Sequence, residues 1–234
     1  MVITGPDNLF ALADVGELLR AELDRARSLA ARLPGGRALL VQACAANREL
    51  PLDAAHLAFV RLHAGPDCLH GDVVCRADAL PWEDDAFQLV VVQHAGDALP
   101  LLPACVDEFA RILAPGGVLL WFGLNPWSPW LTWRRWRARH GPPPPRTTHV
   151  DAVRRLLLLR HLKPAATQYV GAGWPRGEHS GAGQSRRLAP LRCAYLLGAS
   201  KQRIVLTPLR ARNTRDRVAT RPQLAGTPSR RACT

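Results

Sequence analysis

Apolar and polar positions alternate along this chain in two rhythms. From Val15 to Leu33 the period is helical. Leu18, Leu19, Leu23, Ala26 and Leu29 fall on one stripe, with Glu22, Asp24, Arg25 and Arg32 opposite. Asp14 is the expected cap and Pro34-Gly35-Gly36 the expected stop. The rhythm then changes to short unbroken apolar runs. Ala38–Ala43 predicts a first strand, Phe59–Leu62 a second and Val73–Cys75 a third. Gln88–Gln93, rich in β-branched residues, predicts a fourth. Leu102–Leu113 returns to helical spacing, with Asp107, Glu108 and Arg111 on the other face. Pro115-Gly116-Gly117 ends that helix, and Val118–Phe122 starts a fifth strand.

Beyond Leu124 the pattern breaks. Trp127, Trp130, Trp133 and Trp136 recur every three residues, interleaved with Arg134, Arg135, Arg137 and Arg139. A three-residue spacing drifts around a helix, so these four rings cannot all face one core. Pro142–Pro145 must be extended. Asp151–His161 reads as a helix with Leu156–Leu159 toward the core, and Tyr169–Ser185 as a Gly-rich loop. Leu191–Leu197 and Arg203–Leu206 read as a closing antiparallel hairpin around Gly198–Lys201. No apolar periodicity remains past Pro208.

Strand, helix, buried strand is the βαβ unit of a parallel sheet. Its strands read as continuous apolar runs because both faces are covered. The expected fold is therefore α/β: a Rossmann-like, mostly parallel sheet with helices on both faces. The expected organisation is a short leader (1–13), one domain (14–207) with an insertion at 124–150, and a disordered basic tail (208–234).

Charge sharpens that division. The formal net charge is +12, and residues 201–234 hold nine Lys/Arg against Asp216 alone, so +8 lies at that end. All basic residues except Lys163 and Lys201 are arginine, a residue suited to bidentate contact with phosphates and carboxylates. Cys44, Cys68, Cys75, Cys105, Cys193 and Cys233 form no C-x-x-C pair and lack a His at metal spacing. They read as reduced thiols, neither a zinc site nor a disulfide framework. No basic stretch followed by an apolar run opens the chain, and no apolar segment approaches the ~20 residues needed to span a bilayer. The expectation is a soluble cytoplasmic protein.

One stretch carries more specific wording. Leu80-Pro81-Trp82, the acidic pair Asp84-Asp85, Phe87, an apolar strand ending in a His, and a helix closing on Arg111-Ile-Leu-Ala-Pro-Gly-Gly117 follow in order. Together they resemble the middle of class I S-adenosylmethionine (SAM) dependent methyltransferases, in the broad group that includes the ubiquinone and menaquinone C-methyltransferases. The resemblance covers about residues 36–123. It implies SAM as cofactor and methyl transfer to an acceptor that the sequence does not identify.

The resemblance also implies where the cofactor lies. The family's glycine-rich turn after the first strand falls on Ala43, Cys44, Ala45 and Asn47, with Val41 in place of its acidic residue, and it holds no glycine. The ribose-binding acid has no counterpart at the end of the second strand; Asp67 follows in the next loop. Asp78, with Ala79 and Leu80 beside it, matches the acid near the adenine amino group. Apart from the resemblance, ligands of doubly wound sheets lie beyond the carboxyl ends of the strands. That rule points to Gln93 as a cofactor contact and to His94 as the candidate proton acceptor. The Trp/Arg segment reads as a lid or contact surface for a planar or anionic substrate or for nucleic acid, with an amphipathic membrane-surface helix and a Trp stripe packed on the core as the alternatives. The degenerate turn keeps a second expectation open: a non-catalytic methyltransferase-like protein that binds RNA or another acidic partner through this segment and the basic tail 208–234, the tail being also a candidate contact for nucleic acid or an anionic surface.

Overall fold

The computed structural model describes residues 9–11, 13–50, 52–99, 102–137, 147–172 and 186–202. The basic tail, the proline run, most of the leader and the second arm of the expected hairpin lie outside them.

Five strands follow the order of the apolar runs: β1 (Gly36–Gln42), β2 (Leu57–Ala64), β3 (Leu69–Gly71), β4 (Phe87–Gln93) and β5 (Leu113–Leu124). Three further strands complete the sheet: the short β6 (Leu162–Pro164) and β7 (Gln168–Val170), and β8 (Ala194–Lys201). The order across the sheet is β3-β2-β1-β4-β5-β8-β6, with β7 also paired to β8. The β2, β1, β4 and β5 strands are mutually parallel; β3 and β8 run against them. Chain progression reverses between β1 and β4, so the switch point lies there.

Alternation along each strand sorts side chains onto two covered faces. Leu39, Val41, Val90, Val92 and Trp121 pack with Val106 and Phe109 of α3 (Leu102–Ile112) and with Val153 and Leu157 of a later helix, Val150–Leu159. Ala38, Leu40, Leu89, Val91 and Phe122 pack with Leu23, Ala26 and Ala30 of α1 (Ala13–Ala30). Two-sided burial is why these strands read as unbroken apolar runs. Two further helices stand at the C-terminal ends of β4 and β5: α2 (Ala95–Ala98) and α4 (Pro129–Arg137). The Val150–Leu159 helix is α5.

Several elements depart from the sequence reading. The third strand is Leu69–Gly71, because Leu69 is the buried anchor there while Val73 and Val74 are exposed. The expected turn Gly198–Lys201 is strand, paired through Ser200 to both Val118 and Lys163. A glycine in a strand gives no turn when both neighbours supply a ladder. Leu158 and Leu159 point to solvent; Val153 and Leu157, four apart, carry the buried stripe of α5. Glu22 belongs to the buried face of α1, not to its polar face, and is 0% exposed. Asp14 lies inside the first turn of α1, which begins at Ala13.

Candidate functional site

The sequence motif around Leu80 is held by α3. Arg111 donates to the carbonyls of Leu80 (3.1 Å) and Trp82 (2.7 Å), to Asp84 (2.8 Å) and to both oxygens of Glu108. Glu108 in turn accepts from the Leu80 backbone N–H at 2.7 Å. Hydrogen bonds from Arg111 hold the Glu108 carboxyl below its usual range. The acidic pair and the arginine of the motif are thus one clamp that fixes the loop before β4. Lys201 adds to it, donating to Asp85 at 2.8 Å and to the carbonyl of Ala110.

A second constellation occupies the C-terminal edge of the sheet. Gln42 ends β1 and Gln93 ends β4, and Gln42 Nε2 donates across the switch point to Gln93 Oε1 at 3.2 Å. Gln93 Nε2 donates to the Leu19 carbonyl (2.9 Å) and to Glu22 (3.1 Å). His94 follows in the left-handed region (φ 55°), which turns its ring back under α1. Its Nε2 lies 3.0 and 3.1 Å from the two Glu22 oxygens, and its Nδ1 lies 3.3 Å from Asp97 Oδ2. Asp97 also accepts from the backbone N–H groups of Leu124 (3.0 Å) and Thr148 (2.9 Å). Burial would depress the imidazole pKa, but the charges and hydrogen bonds of Glu22 and Asp97 outweigh it and raise the value to about 9. His94 is therefore an imidazolium between two carboxylates at neutral pH.

This polar cluster is roofed. Phe10, in a short turn at Leu9–Ala11, stacks on the His94 ring at 4.7 Å. Leu9, Val15, Leu18, Ala43, Leu124, Trp130, Leu131 and Cys193 pack around it as a separate apolar cluster. Burial, with Glu22 nearby, pushes the Cys193 thiol up to about 12.

The turn after β1 runs along the same edge. Ala43, Cys44 and Asn47 are buried; Ala45 is exposed. A short helical turn, Ala45–Asn47, is tied back by Gln42 Nε2 donating to the Asn47 carbonyl at 2.9 Å. No residue from Ala43 to Asn47 has positive φ, so this backbone does not require glycine. Two buried polar atoms here lack a protein partner: Asn47 Nδ2, and His63 Nδ1 on the β2 residue paired with Gln42. Burial, then the neighbouring His70 and Arg48 charges, lower the His63 pKa, so its ring is neutral at pH 7.

The sequence-read residues thus fall into three places. Ala43, Cys44, Ala45 and Asn47 border β1, and Gln93 and His94 join across the switch point. Asp78 stands apart, with both oxygens on Arg76 at 2.9 and 2.7 Å; this pairing holds its pKa below normal. Ala79 beside it is exposed and Leu80 is buried. Glu22, Gln42, His63 and Asp97 were not singled out from the sequence. For Glu22 a signal existed: it lies four residues from both Leu18 and Ala26, inside the apolar stripe. Among the described residues no three His, Cys, Asp or Glu side chains gather as metal ligands, and no helix is long and apolar enough to cross a membrane.

Comparison with known proteins bears on the same segment. Residues 34–121 match the family model described as a methyltransferase domain. A probable phthiotriol/phenolphthiotriol dimycocerosates methyltransferase 2 from Mycobacterium ulcerans is 34% identical over 62 residues, 26% of this chain and 22% of that protein. A second such enzyme from that organism, methyltransferase 1, is 37% identical over 62 residues, 26% of this chain and 21% of its own length. The chain thus spans about a fifth of the length of the curated relatives it matches. Among solved structures, a SAM-dependent methyltransferase from Thermotoga maritima, a possible histamine N-methyltransferase, superposes with TM-score 0.51 at 13% identity. That match covers 80% of this chain and 91% of the other. The putative methyltransferase of Haloferax volcanii, solved with its Trm112 activator, gives 0.50 at 14% identity, covering 83% and 95%. The motif that the Arg111 clamp fixes lies within the segment 34–121 that matches the methyltransferase-domain model, and the strand order β3-β2-β1-β4-β5 belongs to a fold similar to that of the Thermotoga SAM-dependent methyltransferase.

Proposed function

We propose that this protein transfers a methyl group from SAM to an acceptor at the C-terminal edge of its sheet. One observation carries the reading. The segment that matches the methyltransferase domain, residues 34–121, is the segment that builds β1, β2 and β4 and sets the switch point between β1 and β4.

The residues at that edge fit a cofactor with hydroxyl and carboxylate groups. Asn47 Nδ2 and His63 Nδ1 are buried without protein partners, and buried polar atoms of this kind are ordinarily satisfied. Asn47 and His63 would hold the polar groups of the cofactor, with Asp78, Ala79 and Leu80 toward its base. When bound, SAM supplies a methyl group on a positively charged sulfur, which a nucleophile takes by in-line displacement.

The chain's contribution is then positioning and charge. His94 is already protonated, so it does not serve as the proton acceptor at neutral pH; it holds Glu22, Asp97 and the Phe10 turn in register. Glu22, His94 and Asp97 together carry a formal charge of −1, suited to a cationic group nearby. Methyl transfer that relies on orientation needs no further base from the protein.

Titration calorimetry of the purified chain with SAM and with its demethylated product tests this. A dissociation constant on the order of 10–1000 μM is expected. Asn47→Ala removes an unpaired buried donor, so it should leave the melting temperature intact. The same change should weaken SAM binding about tenfold. Absence of heat and of any thermal shift at millimolar SAM would refute the enzyme reading and leave a non-catalytic binder of acidic partners.

A further inference from the structure

We propose that the segment after β5 is a contact face for an anionic lipid surface. The inference rests on how Asn125 assembles two exposed apolar groups. Asn125 is 2% exposed and follows directly on β5. Its Nδ2 donates to the carbonyls of Pro190 (2.6 Å) and Arg192 (2.8 Å), the residues on either side of Leu191. Its Oδ1 accepts from the Trp127 backbone N–H at 3.2 Å. One buried amide thus braces the loop of Trp127, 74% exposed, against the loop of Leu191, 43% exposed. Pro129 and Pro190, also exposed, flank them. Trp130 and Leu131 are buried and root α4 in the domain, so Trp127 is left outside by the backbone and not by fraying.

The charge of the segment selects the occupant. Residues 124–150 contain Arg134, Arg135, Arg137, Arg139 and Arg146 and no Asp or Glu. Arg135 is exposed and held toward this edge by donating to Thr147 Oγ1 at 2.7 Å. A braced indole and aliphatic group, with the exposed Arg135 reaching the Pro126 carbonyl next to Trp127 in a segment whose sequence has no acid, match the boundary of an anionic bilayer. There the rings sit at headgroup depth and guanidinium groups meet phosphate. Single-stranded RNA shares the phosphates but fits less well. Stacking readers present several rings together, whereas of the two described rings of the repeat Trp130 is buried and Trp127 alone is exposed. Between Trp127 and Arg146 the polar side chains other than arginine are Ser128, Thr132 and His140, a poor set for reading bases. The contact lies at the C-terminal edge of the sheet, so a docked membrane would face the end of the molecule that carries the switch point.

Flotation of the full chain with phosphatidylcholine vesicles, with and without phosphatidylglycerol, tests the proposal. The wild type should float with the anionic vesicles and not with pure phosphatidylcholine, and the binding should fall with salt. Trp127→Ala and Arg135→Glu should each lower the partition about tenfold at unchanged melting temperature. Brominated lipid should quench wild-type fluorescence more than that of Trp127→Phe. The basic tail is common to all variants, so a difference between them reports this segment. Three results overturn the proposal: no flotation of the wild type, equal flotation of the variants, or a poly-uridine RNA that binds through Trp127 and Arg135 while vesicles do not. A large loss of stability in Trp127→Ala would also overturn it, by assigning the ring to the core.

Discussion

Glu22 is a carboxylate in the middle of an apolar helical stripe, and the buried cluster depends on it. Glu22→Ala would leave the His94 imidazolium with Asp97 alone, and breaking a buried charge pair typically costs about 3–5 kcal/mol. Urea denaturation at pH 7 should show that loss, while Asp24→Ala, on the exposed face, should change stability by no more than about 0.5 kcal/mol. The cluster also fixes a pH dependence. The folded pKa of His94 is raised to about 9, above an unfolded value of about 6.5. Its contribution is therefore fully present below about pH 6.5 and is lost as pH rises through about 9. The wild type should lose stability across that window, and His94→Gln, already weakened, should lose less. Ala45 and Ala43 separate two meanings of a missing glycine. Ala45 is exposed on an unstrained turn, so Ala45→Gly should be nearly neutral for folding; Ala43 is buried, so Ala43→Gly should destabilise by about 1 kcal/mol. If the turn admits SAM, only the first change should tighten binding, and calorimetry with the two single variants separates them.

Elements were legible where one covering face decided them. The α1, α3, β1 and β4 elements have strong local periodicity or continuous burial, and each lies within a few residues of its sequence reading; β5 begins five residues earlier than read, at Leu113, and takes in the Pro115-Gly116-Gly117 expected to stop the helix. The short pieces were not, because a partner decided them. Residues 198–201 are strand because β5 and β6 both offer them a ladder. The loop before β4 has no regular structure of its own, and Arg111 shapes it from α3. Arg111→Lys keeps the charge and loses the fork that reaches two carbonyls and two carboxylates. It should lower stability by about 1–2 kcal/mol and speed proteolysis of residues 80–86, as limited digestion would show. Gly96 in α2 is a closer case of steric selection: an added Cβ would lie 2.0 Å from the Trp121 ring. Gly96→Ala should therefore disturb the near-ultraviolet circular dichroism of Trp121 and cost about 1–3 kcal/mol.

At the scale of the molecule, apolar runs and the helix between the last two of them determined a parallel sheet covered on both faces. Those features are local in sequence and imposed by burial on the whole strand. The wording from Leu80 to Gly117 further specified the methyltransferase domain that the comparisons bear out. The same topology points to the candidate site edge, since ligand ends of parallel strands are set by strand order. The chemistry at that edge was legible only in part. Gln93 and His94 were visible because they end a strand. Asp97 lies three residues on, but Glu22, Gln42 and Thr148 reach the same cluster from three other segments, separated from His94 by as many as 72 residues. No spacing rule links them, because their proximity arises from the packing of α1 over the switch point. Protonation was hidden for the same reason: an isolated histidine suggests a base, whereas the two carboxylates brought to it by the fold make it a fixed cation. The tryptophan repeat marks the limit most clearly. Its period showed that the rings could not share one environment, and only tertiary structure assigned Trp130 to the core and Trp127 to the surface, because the brace at Asn125 joins residues more than sixty apart in sequence.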